Sequence, residues 1–478
     1  MLQNITTEMT LDDLSGKPVA AIHVFGLSIK ALVDHLMDMV KIRGSSLKMN
    51  EIQWVLTVPA IWTDNAKQFM RKSAEMAGIP PERLILALEP EAASIFCQYL
   101  PTEKLQGIEQ GFSMAETGTK YMVVDLGGGT ADITVHEKMA DGKLKELCRA
   151  NGSDCGGTSV DGRFFQLLVK ILSGPLMKSL RDENLSAYLD LFREFETVKR
   201  TIDSSKAGKI NMTVPYVALD KMCKRILKED FPSVVESSIF AKEISLRGDK
   251  IRIDVDRMIK LFKPTIDSII ALMKEVLKDK TASGVTLILL VGGFSECRLI
   301  KESVHQVFTN KKIIIPDEAG LCVLKGAVLF GHRPDYIQSR VMRFSYGLES
   351  SHPFNEKKHD IKYLEEINGE KKCRKIFSKL VSKDEAVQCG KKVIKEFFTL
   401  FEQQEMLNFE LFISTDVNPR YVDEVSCTFI GEMKMKLPST CMEKRYVDVE
   451  IVFGNTEIEM TAVDRKSNEK ISSSFNLV

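Results

Sequence analysis

The 478-residue chain has no surplus of charge of either sign: 66 lysines and arginines balance 66 aspartates and glutamates. That balance gives no support to nucleic-acid binding, and no long block of like charge marks a disordered tail. No apolar run reaches the roughly 18 residues a membrane-spanning helix needs. The opening MLQNITTEMTLDDL is polar and acidic, unlike the apolar core of a signal peptide. The ten cysteines are scattered from Cys97 to Cys441, with no CxxC and no Cys/His group of zinc spacing. The expectation is therefore reduced, buried thiols in a cytoplasmic protein. Short basic pairs such as Lys357-Lys358 and Lys371-Lys372 read as solvated surface.

What is present is a chain with 44% hydrophobic residues, enough for two to four packed domains. Residues 1–18 read as a loose lead-in, followed by an apolar helical stripe from Val24 to Ile42. Ile52–Val58 predicts a strand. Thr63 and Asp64 are placed to cap a helix that Gly78 stops, and Leu84–Leu88 predicts a short buried strand. Pro90 opens a further helix, so the order is strand, helix, strand, helix, as in an α/β domain. Helices are expected over Phe164–Leu172, Leu189–Ile202, Leu219–Leu227 and Met258–Leu277, with strands at Ile210–Val217 and Thr286–Val291. Beyond Arg333 the texture changes. Alternating runs at Phe409–Ile413 and Val447–Phe453, a Gly454-Asn455 turn and a further run at Ile458–Ala462 predict a separate, mostly antiparallel β domain.

The segment VVDLGGGTADITV, Val123–Val135, reads as strand, turn, strand. Three consecutive glycines are conformationally costly and exceed what a tight hairpin needs. Successive glycine amides can cradle an anion, but Asp125 and Asp132 would repel a bare phosphate. A Mg²⁺ ion, which favours carboxylates, water and phosphate oxygens, resolves that conflict. An ordinary glycine-rich hairpin would carry the same glycines, and the cluster fits neither GxGxxG nor GxxxxGK[ST]. LILLVGGFSECRLI, Leu287–Ile300, places a second glycine pair at the C-terminal end of a strand, the edge where α/β sheets bind ligands. A packed turn would look the same.

Taken in order, TVPAIWTDNAKQFMRKSAEMAGI, LALEPEAASIF, VVDLGGGTADITV, DCGGTSVDGRFF, FETVKRTIDSS, LLVGGFSECRLI and IIPDEAGLCVLKGAVLFG resemble the actin-like ATPases, and in detail the 70-kDa heat-shock proteins, over about residues 25–332. EPEAAS and GGFSEC, and the lack of a helical lid after the β domain, resemble the divergent branch called heat shock 70 kDa protein 12. VDVEIVFGNTEIEMTAVDRKSNEK resembles that family's peptide-binding β-sandwich.

The resemblance implies an α/β, actin-like (ribonuclease H-like), two-lobed nucleotide-binding domain, N-terminally incomplete, followed by a β-rich substrate-binding-like domain. Its expected divisions are residues 1–118 (partial lobe I), 119–316 (lobe II), 317–335 (a return to lobe I) and 340–478 (the β domain). It implies ATP or ADP with Mg²⁺ as cofactors, unfolded polypeptide clients and co-chaperones as partners, and a stress-related chaperone role. Asp125 would organise water around Mg²⁺, Asp132 would hold a metal-bound water, and Glu89 would position the attacking water or the metal shell. Gly127, Gly128, Gly129 and Thr130 would wrap the terminal phosphates, and Gly156 and Gly157 would approach ribose and phosphates. Glu196, Lys199 and Arg200, one helix face by spacing, would flank the adenosine. Gly292 and Gly293 would let it lie on the backbone, Phe294 would stack on the base, and Asp317 would face the nucleotide from the hinge. Taken alone, Lys199 and Arg200 read equally as surface charge, and Glu89 as an ordinary helix N-terminal acid.

The family's first phosphate hairpin, an Asp-x-Gly-Thr-Thr pattern, and the lysine that follows it have no counterpart in this sequence. The segment before Glu51 is too short for them, so the Ile52–Val58 strand is expected to expose an unpaired edge. Glu296 stands where the family carries an arginine and cannot replace its planar cation. Weak ATP binding with little hydrolysis is therefore expected. Two other functions compete with the chaperone: a nucleotide-insensitive scaffold, and an actin-fold small-molecule kinase. The kinase is disfavoured by FETVKRTIDSS, by the β domain and by the lack of an acceptor-activating Asp motif.

Overall fold

The computed structural model describes residues 5, 8–13, 16–101, 105–106, 116–367, 369–399, 404–437 and 444–474. Its centre is an eight-stranded mixed sheet. Lys120–Leu126, Ala131–Lys138 and Leu144–Ser153 form an antiparallel meander, and Lys120–Leu126 pairs in parallel with Leu287–Val291, which pairs in parallel with Lys312–Pro316. Leu105–Gln106 closes one edge. The two-residue period of a strand sends Met122, Val124 and Leu126 to one face and Tyr121, Val123 and Asp125 to the other. The first face packs under the helices Thr158–Leu172 and Val255–Lys278. The second packs under Glu89–Gln98 and Cys322–His332. These two helices cross so closely that a Cβ at Gly326 would collide with the Ala92 carbonyl.

The N-terminal part is more regular than a loose lead-in. Thr10–Asp12 pairs with Pro18–Ala20, because Met9, Leu11, Ile22 and Phe25 close a small apolar cluster on Phe69. Thr63 Oγ1 accepts the Ala66 amide at 3.3 Å and caps the helix Asp64–Met76, which Gly78 ends with φ +94. Trp54–Val58 pairs in parallel with Leu84–Leu88 and, among the described residues, with no other strand, so its second edge is open as expected.

The C-terminal region is a sandwich of a five-stranded and a four-stranded antiparallel sheet around Leu348, Leu411, Met435, Val449, Ile451 and Phe453. It is stitched to the central sheet. Ile337–Val341 adds in parallel beside Leu144–Ser153, and Ala386–Gln388 adds beside Ile337–Val341. Arg71 forks onto Glu457 with two 2.6 Å hydrogen bonds, and Thr456 donates to the Leu86 carbonyl at 2.9 Å. Lys372 departs from the solvated-surface expectation. It is buried, pairs with Glu370 at 3.2 Å and holds its ammonium over the Phe398 ring, 5.8 Å from the centroid.

Candidate functional site

The antiparallel register fixes the site. Asp125 lies directly opposite Asp132, so both carboxylates leave the same face of the sheet. That face is covered by the helix that starts at Glu89, and its first turn brings a third carboxylate to the other two. Burial and then the Asp125 and Asp132 charges push the Glu89 carboxyl up to about 8. Burial and then Asp132 push Asp125 up to about 7. Burial also raises Asp132, against the Thr130 hydroxyl, the Ile61 and Ala60 amides and the nearby Arg343 charge, which hold it down. The Ile61 N–H donates to Asp132 at 3.0 Å. Desolvated acids within electrostatic reach of one another favour protons or a cation between them, although among the described residues no three acids stand close enough to form a ready-made metal site.

The glycine turn between the aspartates is shaped to receive an anion. The Gly156, Gly157 and Thr158 amides occupy the carbonyls of Gly129, Gly127 and Gly128 at 3.2, 3.1 and 2.8 Å. Among the described residues the Gly128 and Gly129 amides have no backbone acceptor, and both glycines are exposed with open space above them. A Cβ at Gly156 would run into the Gly128 carbonyl. One at Gly292, where φ is +84, would strike the Asp125 carboxylate. Both positions therefore require glycine.

From the turn a cavity of about 390 Å³ extends between Gly127, Gly128, Gly157 and Thr158 on one side and Glu196, Lys199, Arg200, Gly293, Phe294 and Glu296 on the other. That volume is of the size that takes a small organic ligand. Lys199 is held at 2.7 Å by Asp161 and is also paired with Glu196, which accepts Arg200 Nε at 2.9 Å. Phe294 is buried, with its ring against Gly157. Glu296 accepts the Gly320 amide at 3.2 Å.

Of the residues singled out from sequence, Glu89, Asp125, Thr130 and Asp132 meet at the glycine turn. Gly127, Gly128, Gly157, Glu196, Lys199, Arg200, Gly293 and Phe294 line the cavity; Gly129, Gly156 and Gly292 shape the turn. Asp317 does not join them: it is exposed in the turn after Lys312–Pro316 and is not among the cavity's lining residues. Sequence reading missed Asp161, Thr158 and Cys297, which also line the cavity. Asp161 had a signal, as the acid in the first turn of the helix that opens after Gly156-Gly157. Ile61 had none, because its amide reaches Asp132 only through the tertiary fold.

Comparison with known proteins agrees with this architecture. The family model described as Hsp70 protein matches residues 27–245. Heat shock 70 kDa protein 12A of Mus musculus is 31% identical over 520 aligned residues, covering 98% of this chain and 77% of that protein. Heat shock 70 kDa protein 12B of Homo sapiens is 28% identical over 534 residues, covering 99% and 78%. Chaperone protein DnaK of Elusimicrobium minutum is 25% identical over 303 residues, covering 62% of this chain and 42% of its own length.

Proposed function

The chain belongs to the Hsp70 family, and from that premise we propose that it binds ATP or ADP with Mg²⁺ in the cavity that opens at its glycine turn and holds polypeptide clients on its C-terminal β domain. The carrying observation is that Glu89, Asp125 and Asp132 lie within electrostatic reach of one another beside the glycine turn, whose Gly128 and Gly129 amides meet no backbone acceptor among the described residues. In this reading the Gly128 and Gly129 amides receive the terminal phosphates, and Asp125 and Asp132 hold the cation through water. Glu89 orients a water from the opposite element. Lys199, braced by Asp161 and Glu196, is fixed as the polar wall, and Phe294 offers its ring as the apolar floor. The cation, when bound, neutralises phosphate charge and polarises the terminal phosphorus.

Hydrolysis is proposed to be slow. Phosphoryl transfer depends on positioned donors and cations. Lys199 is already engaged by two carboxylates, and Glu296 brings negative charge to the far end of the cavity. Each donor missing from the transition state costs about 3 kcal/mol of barrier.

Titration with a fluorescent ATP analogue, with Mg²⁺ and with chelator, tests the nucleotide reading. Saturable binding that needs Mg²⁺ and is lost in Asp132→Asn is expected. Binding unaffected by either change, or none at saturating concentration, would refute it. Pull-down of unfolded peptides with and without ATP tests the client reading. Release by ATP supports a nucleotide-regulated chaperone, whereas capture blind to nucleotide supports a scaffold.

A further inference from the structure

A second cavity, of about 90 Å³, lies in the seam between the start of the Asp64–Met76 helix and the segment that enters the β sandwich, and no residue of the glycine turn lines it. Trp62, Asp64, Lys67, Glu146, Arg343 and Tyr346 line it. Its donors are under-used. The Trp62 indole N–H is buried and meets no acceptor among the described residues. Arg343, which carries five N–H donors, is given one acceptor, the Ile61 carbonyl. Among the described residues the Lys67 ammonium has a loose ion-pair partner, Asp64 at 3.6 Å.

The acceptors are already engaged. Asp64 takes the Tyr346 hydroxyl at 2.7 Å, and Glu146 takes the Val341 amide at 2.8 Å. Burial pushes the Glu146 carboxyl up to about 8, so at neutral pH it is mostly protonated and adds little negative charge. Two neighbouring ions are also spoken for: Glu457 by Arg71, and Arg340 by Glu91. Lys67 and Arg343 face the carboxylates of Asp64 and, for Arg343, Asp132, yet both cations keep donors to spare beside the orphaned indole N–H. Groups of this kind recognise an oxyanion.

We propose that this seam cavity is a binding site for a small tetrahedral oxyanion of the inorganic phosphate class, held by Arg343, Lys67 and the Trp62 indole N–H. The volume is several times the roughly 10–15 Å³ that a single water needs by the same measure, and admits such an ion. The bound anion bridges the Asp64–Met76 helix to the entry of the β sandwich. Through Ile61, whose carbonyl accepts from Arg343 and whose amide donates to Asp132, it lies one residue from the glycine-turn carboxylates.

The chain has two tryptophans, so Trp54→Phe leaves Trp62 as the sole indole emitter. Titrating this variant of the 478-residue chain with phosphate and with sulfate is expected to give a saturable change in Trp62 emission at millimolar concentration, and chloride at matched ionic strength none. Arg343→Gln and Lys67→Gln are each expected to weaken the response about tenfold, as loss of a charged hydrogen bond does. Gly156→Ala, which disrupts the glycine turn, leaves it intact. The proposal is overturned if neither anion gives a saturable response in protein that melts cooperatively. It is overturned equally if Gly156→Ala abolishes the response while Lys67→Gln preserves it, because the anion then occupies the glycine-turn cavity.

Discussion

Arg340 grips Glu91 in a forked ion pair buried from solvent, with Nε and Nη2 each 2.7 Å from a different carboxylate oxygen. The same guanidinium donates to the Gly454 carbonyl. Arg340 lies in the strand that leads into the β sandwich, and Glu91 is two residues beyond Glu89 on the helix that caps the candidate nucleotide site. One short helical turn thus carries both the joint and a site carboxylate.

Removing either partner alone leaves an uncompensated buried charge. Glu91→Leu and Arg340→Met are each expected to cost about 3–5 kcal/mol, whereas the two combined should be close to neutral. Denaturant unfolding of the two single variants and the double variant checks this. Additive losses would show that the two residues do not act as a pair.

The acid cluster makes a pH prediction. Glu89 at about 8 and Asp125 at about 7 both lie above the value of about 4 that carboxyls have in an unfolded chain. The folded state therefore binds more protons than the unfolded state between those values. The contribution of these two groups to the stability of the ligand-free protein is fully present below about pH 4 and is lost as pH rises to about 8. Glu89→Gln and Asp125→Asn are expected to flatten that slope in thermal melts and to raise stability at pH 8 by about 1–2 kcal/mol. Mg²⁺ with nucleotide should restore stability at pH 8 in the parent and fail to do so in Asp125→Asn.

Much of this was legible in the sequence, for local reasons. The period-2 pattern around DLGGGTAD dictates that Asp125 and Asp132 share a face, and the Pro90 helix start locates Glu89. The Leu84–Leu88 strand, fully apolar and bounded by turn signals, comes out with the bounds read from sequence. Local pattern failed where a partner is distant in the chain. Lys372 reads as surface until Phe398 lies beneath it. Ile337–Val341, IQSRV, shows no strong strand signal and becomes a strand because Leu144–Ser153 offers an edge. The Asp132–Ile61 hydrogen bond spans 71 residues of sequence and leaves no mark in either motif.

The two constrained glycines should fail differently. Gly156→Ala puts a methyl group against the Gly128 and Gly129 backbone and forces that exposed turn, outside the central sheet, to shift, so nucleotide binding should fall with a smaller loss of melting temperature than at Gly292. Gly292→Ala adds a left-handed φ of +84 to a clash with Asp125 and the Leu126 carbonyl inside the central sheet. That combination should cost about 1–3 kcal/mol of stability as well as binding. Equal melting temperatures for the two variants would contradict the assignment.

The Arg71–Glu457 fork tests how the sandwich is fastened at a less buried point. Its side chains are 13% and 19% exposed, so desolvation is incomplete and the penalty for breaking it is smaller than at Arg340–Glu91. Arg71 also donates to the Leu84 carbonyl at 3.0 Å, whereas Glu457 has no second partner of that strength. Glu457→Gln keeps the shape and one neutral acceptor, and should cost about 1 kcal/mol. Arg71→Lys loses the planar fork and cannot serve both the carboxylate and the carbonyl, so it should cost more despite keeping its charge. Arg71→Ala strands the Glu457 carboxylate and should cost most. The order Ala, then Lys, then Gln, read from denaturant midpoints, follows from geometry. If Arg71→Lys matched the parent, charge alone would be holding the seam, and the forked geometry would be incidental.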